Sequence, residues 1–465
     1  MGALVLLLVT FLFAGGIRVS THNFIGLILR QVAVGFDDPE SKWMSFLCLG
    51  IYFTVFLFLR SRAVPGFWRV VNPSLWLAWV LIVSTISCFF NYSPSPEALT
   101  LFVGAVLGQG VAVWACFEAR SEKPEVRMGL GILIPSLLVI MLVLASVWNM
   151  NSGQNFEYHR YARWSGPWDN PNIAGLLMGA GFALAAGSAV FSFQFLIFSH
   201  LKAVGWRANI KKYTTAILYF FAAIFMARGL FHSYSRGAWL ATCLGLAYLA
   251  GHRFWVLGSA GCEEQPISKS EISCDPCVSW FNKNWLSLSA ILLSVVILSF
   301  WHFRQAEWHP GHRAFSVGNQ NDFSWRNRVA AWEGALRIMA ENPWFGTGWN
   351  QPESMYEHYY LPSKLTDVGA IQLNDYFMLG ATLGIPVLFC FGMYLWLSLF
   401  RNSAFSLQPL ELLSATCRAG VVVLLVGFWF DGGLLKLATA ATFWILMELG
   451  SLKLPQKGAK AEAFK

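Results

Sequence analysis

Apolar runs long enough to cross a hydrocarbon layer recur along the whole chain, separated by polar connections. They lie at Ala3–Ile17, Met44–Leu59, Leu75–Phe90, Ala98–Phe117, Gly129–Val147, Ile173–Phe198, Thr214–Leu230, Ala238–Leu257, Trp285–Phe303, Tyr376–Phe400, Leu412–Phe430 and Leu434–Leu449. A membrane-crossing helix needs about 20 mostly apolar residues. The pattern therefore predicts an all-α, polytopic transmembrane bundle of about 12 spans. The connection between the ninth and tenth runs, about 304–374, is far longer than an ordinary helix–helix loop. It carries its own helical stretch: Trp332, Leu336, Met339 and Ala340 recur at helix spacing, and Asn342-Pro343 stops it. The chain divides into N-terminal helices at 1–212, a core with the long loop at 213–400, and C-terminal helices with a basic tail at 401–465.

Composition agrees and excludes other classes. The 465 residues are 56% hydrophobic and 12% charged, with 22 Trp and 39 Phe. Soluble domains are about 25% charged, and disordered chains are poor in aromatics. The net charge of +8 comes from 33 Lys+Arg against 25 Asp+Glu, and most of it sorts by membrane side. With the N-terminus inside, the inner connections hold Arg60, Arg62 and Arg69; then Arg120, Lys123 and Arg127; then Lys202, Arg207, Lys211 and Lys212. Arg401 and the tail lysines fall inside too, whereas Asn91–Glu97 outside has neither Lys nor Arg. Both termini are expected to be cytoplasmic, and a basic balance that sorts by membrane side reads as topology, with no nucleic-acid partner expected. The first run lacks the basic start and small-x-small site of a signal peptide, so it is read as a retained helix.

Most of the nine Cys sit inside spans as small hydrophobes. Cys262, Cys274 and Cys277 share a connection placed in the cytoplasm, where reduced thiols are expected. Three ligands fall short of a closed zinc site. No H-E-x-x-H and no G-x-x-x-x-G-K-[ST] occurs, so neither a metal hydrolase nor an ATP-driven pump is indicated. No metal and no cofactor is expected.

The informative residues are outer-face arginines, which the positive-inside trend does not explain. Ionisable residues in or near the membrane are costly, about 2.5–3.5 kcal/mol at a helix centre, and tend to be functional. One group spans Tyr158 to Asn172 and holds Arg160, Arg163, Asp169 and Asn172 among aromatics. It reads either as an interfacial aromatic belt or as a sugar and phosphate platform. A second brackets a short turn with Arg228 and Arg236. Ser235-Arg236-Gly237 opens a span, so backbone N–H groups and a guanidinium share one helix N-terminus, a ready anion site. A third holds Arg326, Arg328 and Trp332, the last two on one helix face, followed by Pro343-Trp-Phe-Gly346-Thr-Gly348-Trp349. A fourth is Asn374-Asp375-Tyr376, where Asp375 is either a helix-start carboxylate or a general base. Asp431 and Lys436 form a last, looser pair.

These groups, in this order, resemble the O-antigen ligase and polymerase superfamily of bacterial membrane proteins, most strongly from about Arg228 to Gly384. The resemblance rests on Ser235-Arg236-Gly237-Ala238-Trp239 opening a span and on Arg328-x-x-x-Trp332 with the Pro343–Trp349 segment. The long outer loop, Asn374-Asp375-Tyr376 with Gly384, and Gly166-Pro-Trp-Asp-Asn170-Pro171-Asn172 complete it. It implies transfer of a glycan from an undecaprenyl-diphosphate carrier on the outer face of the inner membrane. A ligase passes the glycan to a lipid acceptor, and a polymerase to another carrier-linked glycan. Membrane lipids and the glycan acceptor would then be partners, with no nucleotide cofactor, and the resemblance implies a bacterial inner membrane as the location. Arg236 would bind the diphosphate, with Arg228, Ser235, Arg328, Arg326, Arg163, Arg160, Trp332 and Asn172 lining the substrate.

One position departs from that pattern. Ligases carry a His immediately before the Asn that opens span ten, and here it is Leu373, which neither accepts nor donates a proton. Asp375, Asn374 and His358 are the catalytic candidates left, with Asp169 a further possible base. A superfamily polymerase and a secondary anion transporter of bicarbonate-like type are the alternative functions.

Overall fold

The computed structural model describes residues 39–63, 72–90, 95–119, 129–152, 155–158, 161–168, 170–201, 206–260, 323–400 and 409–451. The expected first and ninth runs, the cysteine connection with Cys262, Cys274 and Cys277, and the positions of Arg160 and Asp169 lie outside them. By contacts the chain forms one unit from 1–253 with 327–465 and a second from 254–326. Most of the second lies outside the described residues.

Ten of the twelve expected runs fall on described helices: α1 (Pro39–Ala63), α2 (Pro73–Phe90), α3 (Pro96–Ala119), α4 (Gly129–Ser152), α5 (Pro171–Leu201), α6 (Trp206–Ser233), α7 (Arg236–Ala260), and, after the loop helix α8 (Phe323–Glu341) and the short α9 (Gln351–Met355), α10 (Asp375–Leu383), α11 (Ile385–Phe400), α12 (Pro409–Phe430) and α13 (Leu437–Ser451). Five of these are long and apolar enough to cross a membrane; α11 and α13 are shorter apolar helices. Among the described residues the fold is predominantly helical.

The sequence pattern missed two features. Asn155–Tyr158 (β1) and Tyr161–Trp164 (β2) form an antiparallel hairpin with Tyr158 opposite Tyr161. The tenth run is not one helix: it breaks at Gly384, whose φ of 88 is open to glycine and strained for other residues. The loop fills that break. Thr347 and Gly348 N–H donate to Ala381 and Thr382 carbonyls at 2.9 Å, and Ile385 N–H donates to Pro343 O at 2.8 Å. An interrupted helix is tolerated where such partners satisfy its backbone groups.

The helices share one apolar core, with α13 buried on every side from Ala438 to Gly450. On α3, a methyl at Gly104 would collide with the Trp444 ring of α13, and one at Gly108 would meet Trp444 O at 3.0 Å. Small residues are what lets helix backbones approach so closely. The outward faces are apolar: Trp79, Ile82, Ile86 and Phe89 on α2, and Leu218, Phe221 and Ile224 on α6, are all exposed. Contiguous exposed apolar faces mark contact with lipid or protein. A smaller second core of Ala331, Ala335, Ile338, Met339, Tyr356 and Ile371 holds the loop together.

Candidate functional site

Three distant segments meet at Asp431. Helix α12 ends at Phe430, and the turn to α13 contains Gly432 (φ 67) and Gly433 (φ 140). Asp431, the first residue of that turn, is 6% exposed. Its Oδ2 accepts from Ser235 Oγ at 2.7 Å, and its Oδ1 accepts from Arg328 Nη2 at 2.8 Å. Arg328 Nε also donates to Phe430 O at 2.9 Å. A methyl on Gly237 would come within 2.5 Å of Asp431 Oδ2, so only glycine lets α7 start this close to the carboxylate.

That start is built for charge. Tyr234 turns the chain at φ 51, and Ser235 Oγ accepts from Ala238 N–H at 3.2 Å, capping the helix. Arg236 is the first residue of α7 and half-buried. It stands between two residues that both approach Asp431. A guanidinium at the positive end of a helix dipole is unfavourable alone and favourable with an anion present.

The β-hairpin joins the same end of the bundle. Arg163, 7% exposed, donates from Nε to Ser233 O at 2.9 Å and from Nη2 to Asn172 Oδ1 at 2.8 Å. It thus ties β2 to the end of α6 and the start of α5. Asn170 Oδ1 caps α5 by accepting from Asn172 and Ile173 N–H, with Pro171 in the first turn, where its missing N–H costs nothing. Beside this tie Trp164 stacks on His232 at 4.5 Å, and the exposed Arg228 lies 5.6 Å over the Trp164 ring. Phe231 stacks on Trp239 at 6.0 Å. A cation over stacked rings is a surface suited to sugar faces and anions.

The Asn374–Asp375 segment reaches the site from behind. Asn374 Oδ1 caps α10 by accepting from Phe377 N–H at 3.0 Å, while its buried Nδ2 has no hydrogen-bond partner. Asp375, 2% exposed, accepts from Leu434 N–H at 2.7 Å and so braces the Gly432–Leu435 turn that presents Asp431. It lies one residue before the tenth apolar run, and burial pushes its carboxyl up to about 7, against the pull of backbone N–H bonds and Lys436. The Cα of Leu373 lies 3.6 Å from where a Cβ on Gly432 would sit.

Trp332 packs edge-on against Trp429 at 6.0 Å and Phe377 at 6.5 Å, joining α8 to α12 and α10. Arg326 is exposed on the first turns of α8. His358 is exposed on a π-helical turn at Tyr356–Tyr360, where Nδ1 pairs with Ser354 O at 2.8 Å. Among the described residues no group of His, Cys, Asp and Glu is arranged for a metal ion.

Asp431 is the residue that sequence reading undervalued. Its neighbour in sequence, Lys436, is exposed, whereas its partners stand 103 and 196 residues away. The available signal was a carboxylate at the end of an apolar run, followed by Gly-Gly.

Residues 221–392 match the family model described as O-antigen ligase. The matched stretch includes Arg228, Ser235, Arg236, Arg328, Asn374 and Asp375, and stops short of Asp431. A comparison with curated proteins finds no match. The family match supports an O-antigen ligase-like superfamily membrane protein, and an O-antigen ligase or polymerase type of function in polysaccharide biosynthesis. Together with the apolar helices it indicates a multi-pass membrane protein, with lipid-linked glycans as the implied class of substrate.

Proposed function

We propose that the chain is an inner-membrane glycosyltransferase that takes a glycan from undecaprenyl diphosphate and joins it to a lipid or glycan acceptor at the periplasmic face, with both termini cytoplasmic. The observation that supports this reading is the Ser235–Asp431–Arg328 node. One carboxylate positions the N-terminus of α7, where Arg236 begins, against a guanidinium from the loop helix.

In such a transfer an acceptor hydroxyl attacks the anomeric carbon, the bond to the carrier diphosphate breaks, and the hydroxyl proton passes to water or to the departing diphosphate. Negative charge develops on the departing diphosphate, where preorganised donors are worth most. Arg236 and Arg328 are assigned to that charge, since a guanidinium holds phosphate through two parallel hydrogen bonds. Arg228 with the Trp164–His232 stack is assigned to the glycan. Arg163 and Asn172, bonded to each other, hold the hairpin in place. With Leu373 offering no proton acceptor, leaving-group stabilisation carries most of this reading. Asp375 is assigned to holding the Asp431 turn.

The test is Arg236→Ala, with glycan transfer and membrane insertion both measured. Loss of transfer with normal insertion is expected, and normal surface glycan at normal expression overturns the reading. The anchor on the product, acceptor lipid or carrier, then separates ligase from polymerase.

A further inference from the structure

The turn after α8 holds two adjacent aromatic side chains away from the fold: Trp344 is 71% and Phe345 80% exposed. The backbone beneath them is fixed. Gly346 N–H donates to Asn342 O at 3.1 Å and Ile385 N–H to Pro343 O at 2.8 Å. Gly346 and Gly384 both take positive φ; a methyl on either would collide with the other segment's backbone, at Thr382 or Trp344. A few residues on, the fully buried Trp349 donates from Nε1 to Ser84 Oγ at 3.2 Å. Order is thus imposed on a turn whose two largest side chains touch little protein. Each offers about 150–250 Å² for burial, so a rigid exposed pair implies a surface that covers it.

The position of the turn says which surface. It sits on the first turn of α11, whose outward residues Ile385, Phe389, Trp396 and Phe400 recur at spacings of 4, 7 and 4 and are 46–60% exposed. That stripe is the kind of face that meets lipid tails. Helix α10, which precedes α11 in the same apolar run, is buried from Met378 to Leu383, so the outward apolar stripe starts at Ile385. Trp344 and Phe345 stand at that end and continue it. Indole rings also prefer the headgroup level of a bilayer.

We propose that the Pro343–Phe345 turn is a membrane-interface anchor, with Trp344 and Phe345 seated at the boundary between lipid headgroups and acyl chains. Helix α8 is then fixed at both ends, by Arg328 on Asp431 near its start and by the anchored turn after its end. This keeps Arg328 at headgroup depth, which is where a lipid-linked diphosphate would lie; that last step rests on the proposed function.

The test uses the wild-type chain in phosphatidylethanolamine–phosphatidylglycerol vesicles containing a lipid with an acyl-chain diazirine. After photolysis, peptide mass spectrometry reads the adducts. Labelling of Trp344 and Phe345 at a yield comparable to Phe389 is expected. It should be lost in Trp344→Ser/Phe345→Ser while Phe389 stays labelled. Adducts on Phe389 without any on the turn overturn the proposal in two forms. Heavy labelling of the turn by a water-soluble carbene places it in water, and protection from both reagents places it under a second copy or another protein. The readout is independent of transfer, so a chain that labels as expected but does not bind the diphosphate refutes the proposed function alone.

Discussion

The Ser235 hydroxyl donates a 2.7 Å hydrogen bond to Asp431 Oδ2 across 196 residues of chain, while accepting from Ala238 N–H at 3.2 Å. The same hydroxyl therefore caps α7 and binds the α12–α13 turn. The other oxygen of Asp431 takes Arg328, so the start of one span and the loop helix are referenced to a single carboxylate. A negative group at a helix N-terminus is favourable in itself, which helps this carboxylate stay buried.

Asp431→Ala leaves Arg328, 13% exposed at its side chain, without its carboxylate and Ser235 without its acceptor. Removing one partner of a buried pair costs about 3–5 kcal/mol. The lower end is expected here, because Arg328 keeps its bond to Phe430 O. The thermal midpoint in detergent should fall and transfer should be lost. Asp431→Asn, which keeps an acceptor for Ser235, should fall less. Undiminished transfer in Asp431→Ala would detach the node from function.

Much of the fold could be read locally, and the centre of the site could not. The apolar runs mark helices because burial in lipid is decided over some 20 consecutive residues. Asn170-Pro171-Asn172 reads as a helix start because cap and proline act within one turn. The partner of Asp431 is another matter: nothing near it in sequence shows that Ser235 and Arg328 will arrive. The break at Gly384 was hidden for a similar reason. Apolar residues run through it, and only the docking of Pro343–Gly348 satisfies the interrupted backbone. Glu448 stands alone among apolar residues in the last run, and its partners lie on other helices.

Asp375 should make stability depend on pH. Its carboxyl, near 3.8 ordinarily, is pushed up to about 7 by burial. Between those values the folded state holds more protons than the unfolded state, so stability falls as pH rises through this window. The thermal midpoint is expected to drop from pH 5 to pH 8. Asp375→Asn should flatten that dependence, since an amide oxygen can still accept from Leu434 N–H. It should also retain transfer. A folded Asp375→Asn protein inactive at every pH would instead make Asp375 the base.

Gly384→Ala should loosen the junction of α10 and α11. The position has φ 88 and ψ 167, a region essentially reserved for glycine, and strain there costs about 1–3 kcal/mol. The added methyl would also collide with the Trp344 carbonyl. Limited proteolysis should reveal new cleavage in the Pro343–Gly348 turn, with slower or no cutting in the parent protein.

The last prediction concerns charges buried near the opposite end of α13, about 16 Å along the helix from Leu437 at 1.5 Å per residue. Glu448, 2% exposed, pairs with Arg60 at 2.9 Å and accepts from Gln109 Nε2 at 2.7 Å and from Tyr394 OH at 3.3 Å. Arg60 donates to Gln109 Oε1 at 2.7 Å, closing the group across α1, α3, α11 and α13. Ionisable groups inside a bundle can line an ion path or fix helices in register. Here each charge faces an opposite one, which favours the second role. Glu448→Ala alone should cost about 3–5 kcal/mol, because Arg60 stays buried without that carboxylate. Replacing the group together, as Arg60→Met/Gln109→Leu/Glu448→Met, removes the desolvation penalty along with the pairing. Such exchanges are often neutral or stabilising; here Tyr394 loses its acceptor, at a cost of about 1–3 kcal/mol. Thermal midpoints should therefore rank the single variant well below the triple, and the triple should keep transfer. A stable triple variant without transfer would instead put these charges in the working mechanism, and an anion-flux measurement in proteoliposomes would then show whether transport is that mechanism.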